Sequence, residues 1–403
     1  MSDMDELNEW QGRFDRRIMR SIGMPLAKLD HGKGSRVWDD TGHEYLDFLA
    51  GIAVNSLGHA HPVFVEAVTA QASRLAHVSN YFTTEPALEL AERIIRLAGA
   101  GDHGRAWFGN SGAEANEAAF KLARLNNSGG ARSRVVALVD GFHGRTMGSL
   151  ALTGKPHMRE AFEPLPGGVE HIAATVEALE GAIDESVAAL FVEPIQGEAG
   201  VIELPDGFME AARRLTEEHG ALLIVDEIQT GAGRTGEWFA FQHSGITPDA
   251  ITVAKGIGGG FPIGGLVTFG RASTLYSKGQ HGSTFGGNPL ATAVSNAVLG
   301  EIESAGLVEN AAARGRQIRE RVESLGSPLV AGTRGRGLLL GIALTEPVAT
   351  QVTAAAMRAG LIVNAANDST IRMAPPLIIG DAEIDEFADK ISRALDAVAS
   401  AHR

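Results

Sequence analysis

AITVAKGIGGG, residues 250–260, is a short apolar run rich in β-branched residues and closed by a lysine and a cluster of glycines. Upstream, ALLIVDEIQTG (221–231) has the same build and closes on Asp226. Runs of this length and composition read as buried strands of a parallel sheet. In such a sheet the carboxyl ends of the strands open onto the ligand crevice, which predicts Lys255 and Asp226 on one rim. A lysine held out of water there has a depressed pKa and can attack a carbonyl. A buried aspartate there requires a cationic partner. Pyridoxal phosphate is a cofactor that uses both groups, a lysine for attachment and an acid on its pyridine nitrogen. Taken singly, each residue reads more simply as a strand closed by a charge.

The pattern continues in both directions. VVALVD (135–140), AALFVEP (188–194) and GLVTFG (265–270) are further short apolar runs. Between them lie helical stretches: Pro86 opens one through Arg96, and RAWFGN leads into another from Glu114. Such alternation predicts an α/β fold, a mostly parallel mixed sheet with helices on both faces. GSRVWDDTGHEYLDFLAG (34–51) reads as a β-hairpin turning at DDTG, and residues 1–30 as helical and partly exposed. Beyond Pro289 a long helical stretch leads to GRGLLLGIAL (335–344), LIVNAA and IRMAPPL, which read as a smaller α+β lobe. The expected division is an N-terminal segment (1–58) joining the small domain, a large cofactor-binding domain (59–290) and a C-terminal small domain (291–403).

The chain's 403 residues, 44% hydrophobic and 21% charged, can bury a large core. A formal net charge of −14 argues against nucleic acid or an anionic membrane surface as the main partner. The absence of cysteine removes disulfides, thiolate metal sites and cysteine nucleophiles together. The acidic start MSDMDELNEWQGRFDRR has neither the basic residues nor the apolar core of a signal peptide. No run reaches the roughly 18 apolar residues of a membrane span. A soluble, cytoplasmic protein acting on small molecules is expected.

Several strings carry candidate chemistry. In FGNSGAEANEAAFKLARL (108–125), Ser111 and Glu114 have capping-box spacing, and Ala115, Ala118, Ala119 and Leu122 form a helical face. The N–H groups of Gly112 and Ala113 can hold a phosphate at the positive helix end, although this string alone favours a simple capped helix. In GFHGRTMG (141–148), Phe142 can cover an aromatic ring and Arg145 can pair with a carboxylate, or they can be a packed loop residue and a surface charge. VEPIQGEAG (192–200) brings Glu193 and Glu198 to another strand end. HGSTFGGNP (281–289) sets Ser283 and Thr284 between glycines, suited to an oxyanion, and Arg372 stands in a strand-like run where it can bind a carboxylate. His59 and His61 lack a matching acidic set and read as loop histidines, so no metal is expected. The glycines of KGIGGGFPIGG are followed by Pro262 and a strand-like run rather than a helix, which excludes a dinucleotide fingerprint.

NSGAEANEAAFKLAR, GFHGRTMGSLALTG, VEPIQGE, DEIQTGAGRTG, AKGIGGGFPIGG and HGSTFGGNPLA together resemble the class III (ornithine-type) aminotransferases of the PLP-dependent transferase fold type I. The strings keep the family's order, and the likeness spans residues 32–380. GIAVNSLGHAHP, VSNYFTTEPALELAE, RGRGLLLGIAL, LIVNAA and IRMAPPLII are most similar to the acetylornithine branch of that class. The resemblance implies transfer of the distal amino group of N-acetylornithine to 2-oxoglutarate, giving N-acetylglutamate 5-semialdehyde and glutamate, a step of arginine biosynthesis. Succinylornithine, ornithine, 4-aminobutyrate or N-succinyl-diaminopimelate are alternative donors, and a PLP-dependent aminomutase is a more distant alternative.

It also implies roles. Lys255 would hold pyridoxal 5'-phosphate covalently and shuttle a proton, Asp226 would pair with the ring nitrogen, Phe142 would stack on the ring and Gln229 would sit near its phenolic oxygen. Gly112 and Ala113 would bind the phosphate through their N–H groups, and Ser111 and Glu193 would belong to the cofactor site. Thr284 would reach the phosphate from a second subunit, making a homodimer with shared active sites. Arg145 and Ser283 would contact N-acetylornithine, and Arg372 the α-carboxylate of glutamate or 2-oxoglutarate. Glu198 would neutralise Arg372 when the donor brings no carboxylate there. Departures from the family pattern are Ala113 where relatives often carry threonine, Ile22 where they place an aromatic, and GEAG for the commoner GEGG.

Overall fold

A computed structural model describes residues 8–401; residues 1–7 of the expected N-terminal segment and 402–403 of the C-terminal domain lie outside the described residues. The central sheet has seven strands in the order Arg105–Gly109, Gly264–Thr268, Ala250–Val253, Leu222–Asp226, Val187–Val192, Arg134–Leu138 and Val169–Ile172. From Ala250–Val253 to Val169–Ile172 the neighbours run parallel, while Gly264–Thr268 is antiparallel to both of its neighbours. The sheet is therefore mixed and mostly parallel, as expected. The direction of Gly264–Thr268 could not be read, because an apolar run looks the same in either sense.

Every residue of Val187–Val192 and of Leu222–Asp226 is buried, since both faces of the sheet are covered. Alternate side chains enter separate cores. Leu222 and Ile224 pack with Ala118 and Leu122 of the helix Gly112–Leu125. Leu223 and Val225 pack with Phe208 and Leu215 of the helix Phe208–His219. This sandwich holds the carboxyl ends of the strands, and the groups on them, in fixed register.

Among the described residues 8–30, the expected helix is not continuous. The helix covers only Glu9–Arg17, where Asn8 Oδ1 accepts from the N–H of Gln11 at 3.1 Å, and Leu29–Lys33 is already a strand. Gly23 and Pro25 interrupt the segment, and the residue before a proline is biased away from helix. The predicted hairpin pairs Arg36–Asp39 with Glu44–Asp47. Its turn is shaped by Asp39 Oδ1, which accepts from the N–H groups of Thr41 (2.9 Å) and His43 (3.0 Å).

Glu44–Asp47 then pairs in parallel with Leu361–Ile362, so the N-terminal strands hydrogen-bond to the C-terminal part of the chain. A second C-terminal sheet, in the order Val330–Arg336, Leu339–Leu344, Thr370–Met373 and Asn364–Asn367, is antiparallel throughout and carries Arg372. Phe48 stacks on Phe387 of the helix Asp381–Ala401 with centroids 4.5 Å apart, both rings fully buried. Among the described residues no helix is long and apolar enough to cross a membrane.

Phe387→Ala should remove this stack and leave a void, at a cost of about 3–5 kcal/mol. A clear drop in the denaturant midpoint checks it; an unchanged midpoint would mean that the stack does not tie the N-terminal strands to the C-terminal helix.

Candidate active site

The carboxyl ends of the parallel strands and the start of the helix Gly112–Leu125 surround a cavity of about 490 Å³. Ser111, Gly112 and Ala113 line it from the helix start, and Phe142 and Arg145 from the loop after Arg134–Leu138. Glu193 and Glu198 enter after Val187–Val192, Asp226 and Gln229 after Leu222–Asp226, and Lys255 after Ala250–Val253. Ser283, Thr284 and Arg372 stand outside this lining, and Ile22 is 61% exposed and also outside it.

The helix start is built differently from a simple capping box. Ser111 Oγ accepts from the N–H of Glu114 at 3.2 Å. The Glu114 carboxylate does not return to the N–H of Ser111 but accepts from the N–H and side-chain amide of Asn110, at 2.7 and 2.9 Å. The helix accordingly begins at Gly112 rather than Glu114. The N–H groups of Gly112 and Ala113 are left without an acceptor among the described residues, and they point from a positive helix end. Gly112 lies tight against Ile228, since a Cβ would stand 2.9 Å from Ile228 Cδ1 and oblige that side chain to shift. Ser283 Oγ docks on the same turn, accepting from Asn110 Nδ2 at 3.0 Å, while Thr284 beside it is exposed.

Asp226 is 4% exposed and makes three contacts. Its Oδ1 accepts from the N–H of Ile228 at 3.0 Å. Its Oδ2 accepts from Asn116 Nδ2 at 2.8 Å and meets His143 Nδ1 at 2.8 Å. Burial acts against a charge on His143, but the hydrogen bond and charge of Asp226, helped by Glu193, outweigh it and raise the imidazole's pKa. Positive charge is thus drawn to the buried aspartate. Asn116 Nδ2 also donates to the carbonyl of His143 at 2.7 Å, so the helix, the loop and the strand end are tied at one point.

Lys255 begins a short 3₁₀ turn, Lys255–Ile257, with φ of +44°, a left-handed conformation uncommon for a side-chain-bearing residue and frequent at functional sites. Its amine has no hydrogen bond among the described residues, and burial lowers its pKa from 10.5 to about 8. Glu193 is driven up to about 7 by burial, and its Oε2 accepts from the N–H of Phe142 at 2.8 Å, which fixes the loop carrying that ring. The exposed Arg145 guanidinium lies 6.0 Å from the Phe142 ring centroid. Gln229 is 7% exposed, and its Oε1 has no partner.

Arg372 is reached through Glu198. The two are ion-paired, Arg372 1% exposed at its side chain, and its Nε donates to Asn364 Oδ1 at 2.9 Å. Burial pushes the Glu198 carboxyl up, but the charge and hydrogen bond of Arg372 hold it below its ordinary range.

Sequence reasoning missed Asn116 and His143. His143 lay inside a string noticed for its neighbours, and Asn116 is an amide set among the buried alanines of its helix; an interior polar residue on an alanine-rich helix was the available signal. Both keep a buried polar atom without a partner among the described residues, Asn116 Oδ1 and His143 Nε2.

Residues 18–395 match the family model for class III aminotransferases, and the chain belongs to that family. It is 52% identical over 390 residues to the acetylornithine aminotransferase of Mycobacterium tuberculosis, covering 96% of each chain. It is 50% identical over 401 residues to the acetylornithine aminotransferase of Streptomyces coelicolor, covering 99% of this chain and 97% of that one. Among solved structures, the ornithine aminotransferase of Toxoplasma gondii matches with a TM-score of 0.91 at 32% identity, over 97% of this chain and 95% of that one.

The family's cofactor is pyridoxal phosphate, and the cavity fits it. Unpaired helix N–H groups suit its phosphate, a paired buried carboxylate its ring nitrogen, and an unpartnered, partly neutral lysine its aldehyde.

Only the neutral amine attacks an aldehyde, so covalent capture of added pyridoxal phosphate by cofactor-free protein should speed up with pH and level off above about 8. Following cofactor absorbance checks this; an inflection near the ordinary lysine value of 10.5 would contradict the effect of burial.

Proposed function

We propose that the protein is an N-acetylornithine:2-oxoglutarate aminotransferase. The observation that carries this reading is a cation on the cavity wall, Arg145, and a second, Arg372, paired with the wall carboxylate Glu198. Arg145 is exposed at the wall, whereas Arg372 is buried and covered by Glu198. A donor with a carboxylate at only one of these places, alternating with an acceptor that needs the other, meets that arrangement. The names of the relatives about half identical to this chain support the same donor.

Bound pyridoxal phosphate supplies an electron sink for breaking the bond to hydrogen at the amine-bearing carbon. Lys255 would hold the cofactor through Nζ and, once freed from it by the substrate amine, would move the proton at the amine-bearing carbon. Asp226, which accepts from Asn116 and meets His143, would pair with the ring nitrogen. Phe142, fixed through its N–H by Glu193, would cover the ring, and Gln229 would sit near the phenolic oxygen. Gly112 and Ala113 would hold the phosphate at the helix start, beside Ser111.

Arg145 and Ser283 bind the donor's carboxylate and acyl end, and Arg372 binds the α-carboxylate of glutamate or 2-oxoglutarate. Glu198 neutralises Arg372 while the donor occupies the site, because an unpaired buried guanidinium would repel a substrate lacking a matching charge.

Thr284 lies outside the cavity of its own chain, in the reading a contribution to the phosphate site of a second copy. The side chains near it support an interface: Tyr81, Phe82 and Phe285 are 93%, 71% and 60% exposed, more apolar surface than a lone chain leaves in one place without purpose. The working unit is then a homodimer, a cytoplasmic enzyme of arginine biosynthesis.

Single-turnover conversion of the cofactor by N-acetylornithine, without 2-oxoglutarate, should exceed conversion by ornithine by about tenfold or more. Equal rates would remove the acyl preference, and no conversion by either would move the substrate to another amine or the chemistry to a mutase. Lys255→Ala should abolish turnover in every case.

A further inference from the structure

The Glu198–Arg372 pair has one fixed end and one free end. Arg372 is nearly inaccessible within the strand Thr370–Met373 and is braced by Asn364. Glu198 stands on a connecting segment with its side chain 30% exposed. When a substrate carboxylate takes Arg372, Glu198 is the member that moves. A carboxylate partly out of water then needs a second cation. Of the other cations acting on Glu198, Lys255 is assigned to the proton at the reacting carbon, which leaves Lys155.

Lys155 Nζ donates to the backbone carbonyl of Glu198 itself at 2.9 Å, and Lys155 has no carboxylate partner among the described residues. A lysine's flexible stem and three rotatable donors can turn from the carbonyl to the carboxylate of one residue without moving backbone. The base of that stem is rigid. A Cβ on the preceding Gly154 would stand 2.1 Å from the carbonyl oxygen of Leu138. Gly154 donates to the carbonyl of Gly141 at 2.8 Å and accepts from the N–H of Asp140 at 3.0 Å. Pro156 follows and opens the next helical turn. The half-buried ammonium is therefore held beside Glu198 by the loop that also carries Phe142.

We propose that Lys155 is the alternate partner of Glu198: it receives the carboxylate when Arg372 turns to a substrate carboxylate, and so sets how readily the site switches between its two substrates. Lys155 is in this sense a positioning residue that need not touch substrate, and its role rests on the reading of Glu198 and Arg372 given above. The charges of Lys255 and Lys155 already lower the Glu198 carboxyl alongside Arg372, so the three cations share one field.

The test uses holoenzyme carrying Lys155→Met or Lys155→Arg, in separate single-turnover reactions with glutamate and with N-acetylornithine. Lys155→Met should weaken apparent affinity for glutamate relative to N-acetylornithine by about tenfold, and Lys155→Arg should restore most of it. In a Glu198→Gln background, Lys155→Met should leave that ratio where Glu198→Gln alone sets it, because a neutral glutamine needs no cation. An equal loss in both half-reactions, no change in the ratio, or a full effect persisting in the Glu198→Gln background would overturn the proposal. If Glu198→Gln alone leaves the discrimination intact, the gate reading fails, and this proposal with it; if only Lys155→Met is silent, the gate stands and Lys155 is not its partner.

Discussion

A carboxylate almost fully removed from water at the end of a sheet strand is the constraint around which this site is assembled. Left unpaired, Asp226 would cost several kcal/mol or take up a proton. It is instead satisfied by groups from separate parts of the chain: the amide of Asn116 on a helix, the imidazole of His143 on a loop, and the N–H of Ile228 beyond its own strand. Because Asn116 also holds the carbonyl of His143, these contacts fix the helix start and the Phe142 loop against each other. Pre-positioned charge of this kind requires no reorganisation when a ligand arrives.

The second carboxylate of consequence, Glu198, is joined to the same framework. Gly197 before it lies against the Gln229 amide, since a Cβ there would stand 1.7 Å from Gln229 Oε1 unless that side chain turned. The segment carrying Glu198 is thus packed on a residue proposed to face the cofactor ring. In the proposed reading a protein of net charge −14 attracts carboxylates locally, through Arg145 and Arg372, and not through its overall field.

Much of this was legible before any coordinates, because the informative residues close apolar runs. Lys255 and Asp226 follow runs whose length and branching mark buried strands, and topology then places strand ends on a common rim. The glycine at 112 and the serine at 111 likewise mark a helix start, although the reciprocal hydrogen bond falls on Asn110, a choice that depends on side-chain reach rather than on spacing. Less could be read where periodicity is silent. Gly264–Thr268 looked like its parallel neighbours, and Val169–Ile172, with Glu170 and His171 in it, is too polar to announce a strand. Asn116 and His143 matter only because they meet Asp226 in space, 110 and 83 residues away in sequence. Thr284 is exposed, and the role proposed for it depends on a second copy.

In the proposed reading Asp226, held by Asn116 and His143, keeps the cofactor's ring nitrogen protonated. The nitrogen-15 chemical shift of ring-labelled pyridoxal phosphate bound to the protein reads that proton directly. A protonated nitrogen at neutral pH in the unmodified protein, lost in Asp226→Asn, is the expected result. An unprotonated nitrogen in the unmodified protein would contradict the role assigned to the buried carboxylate.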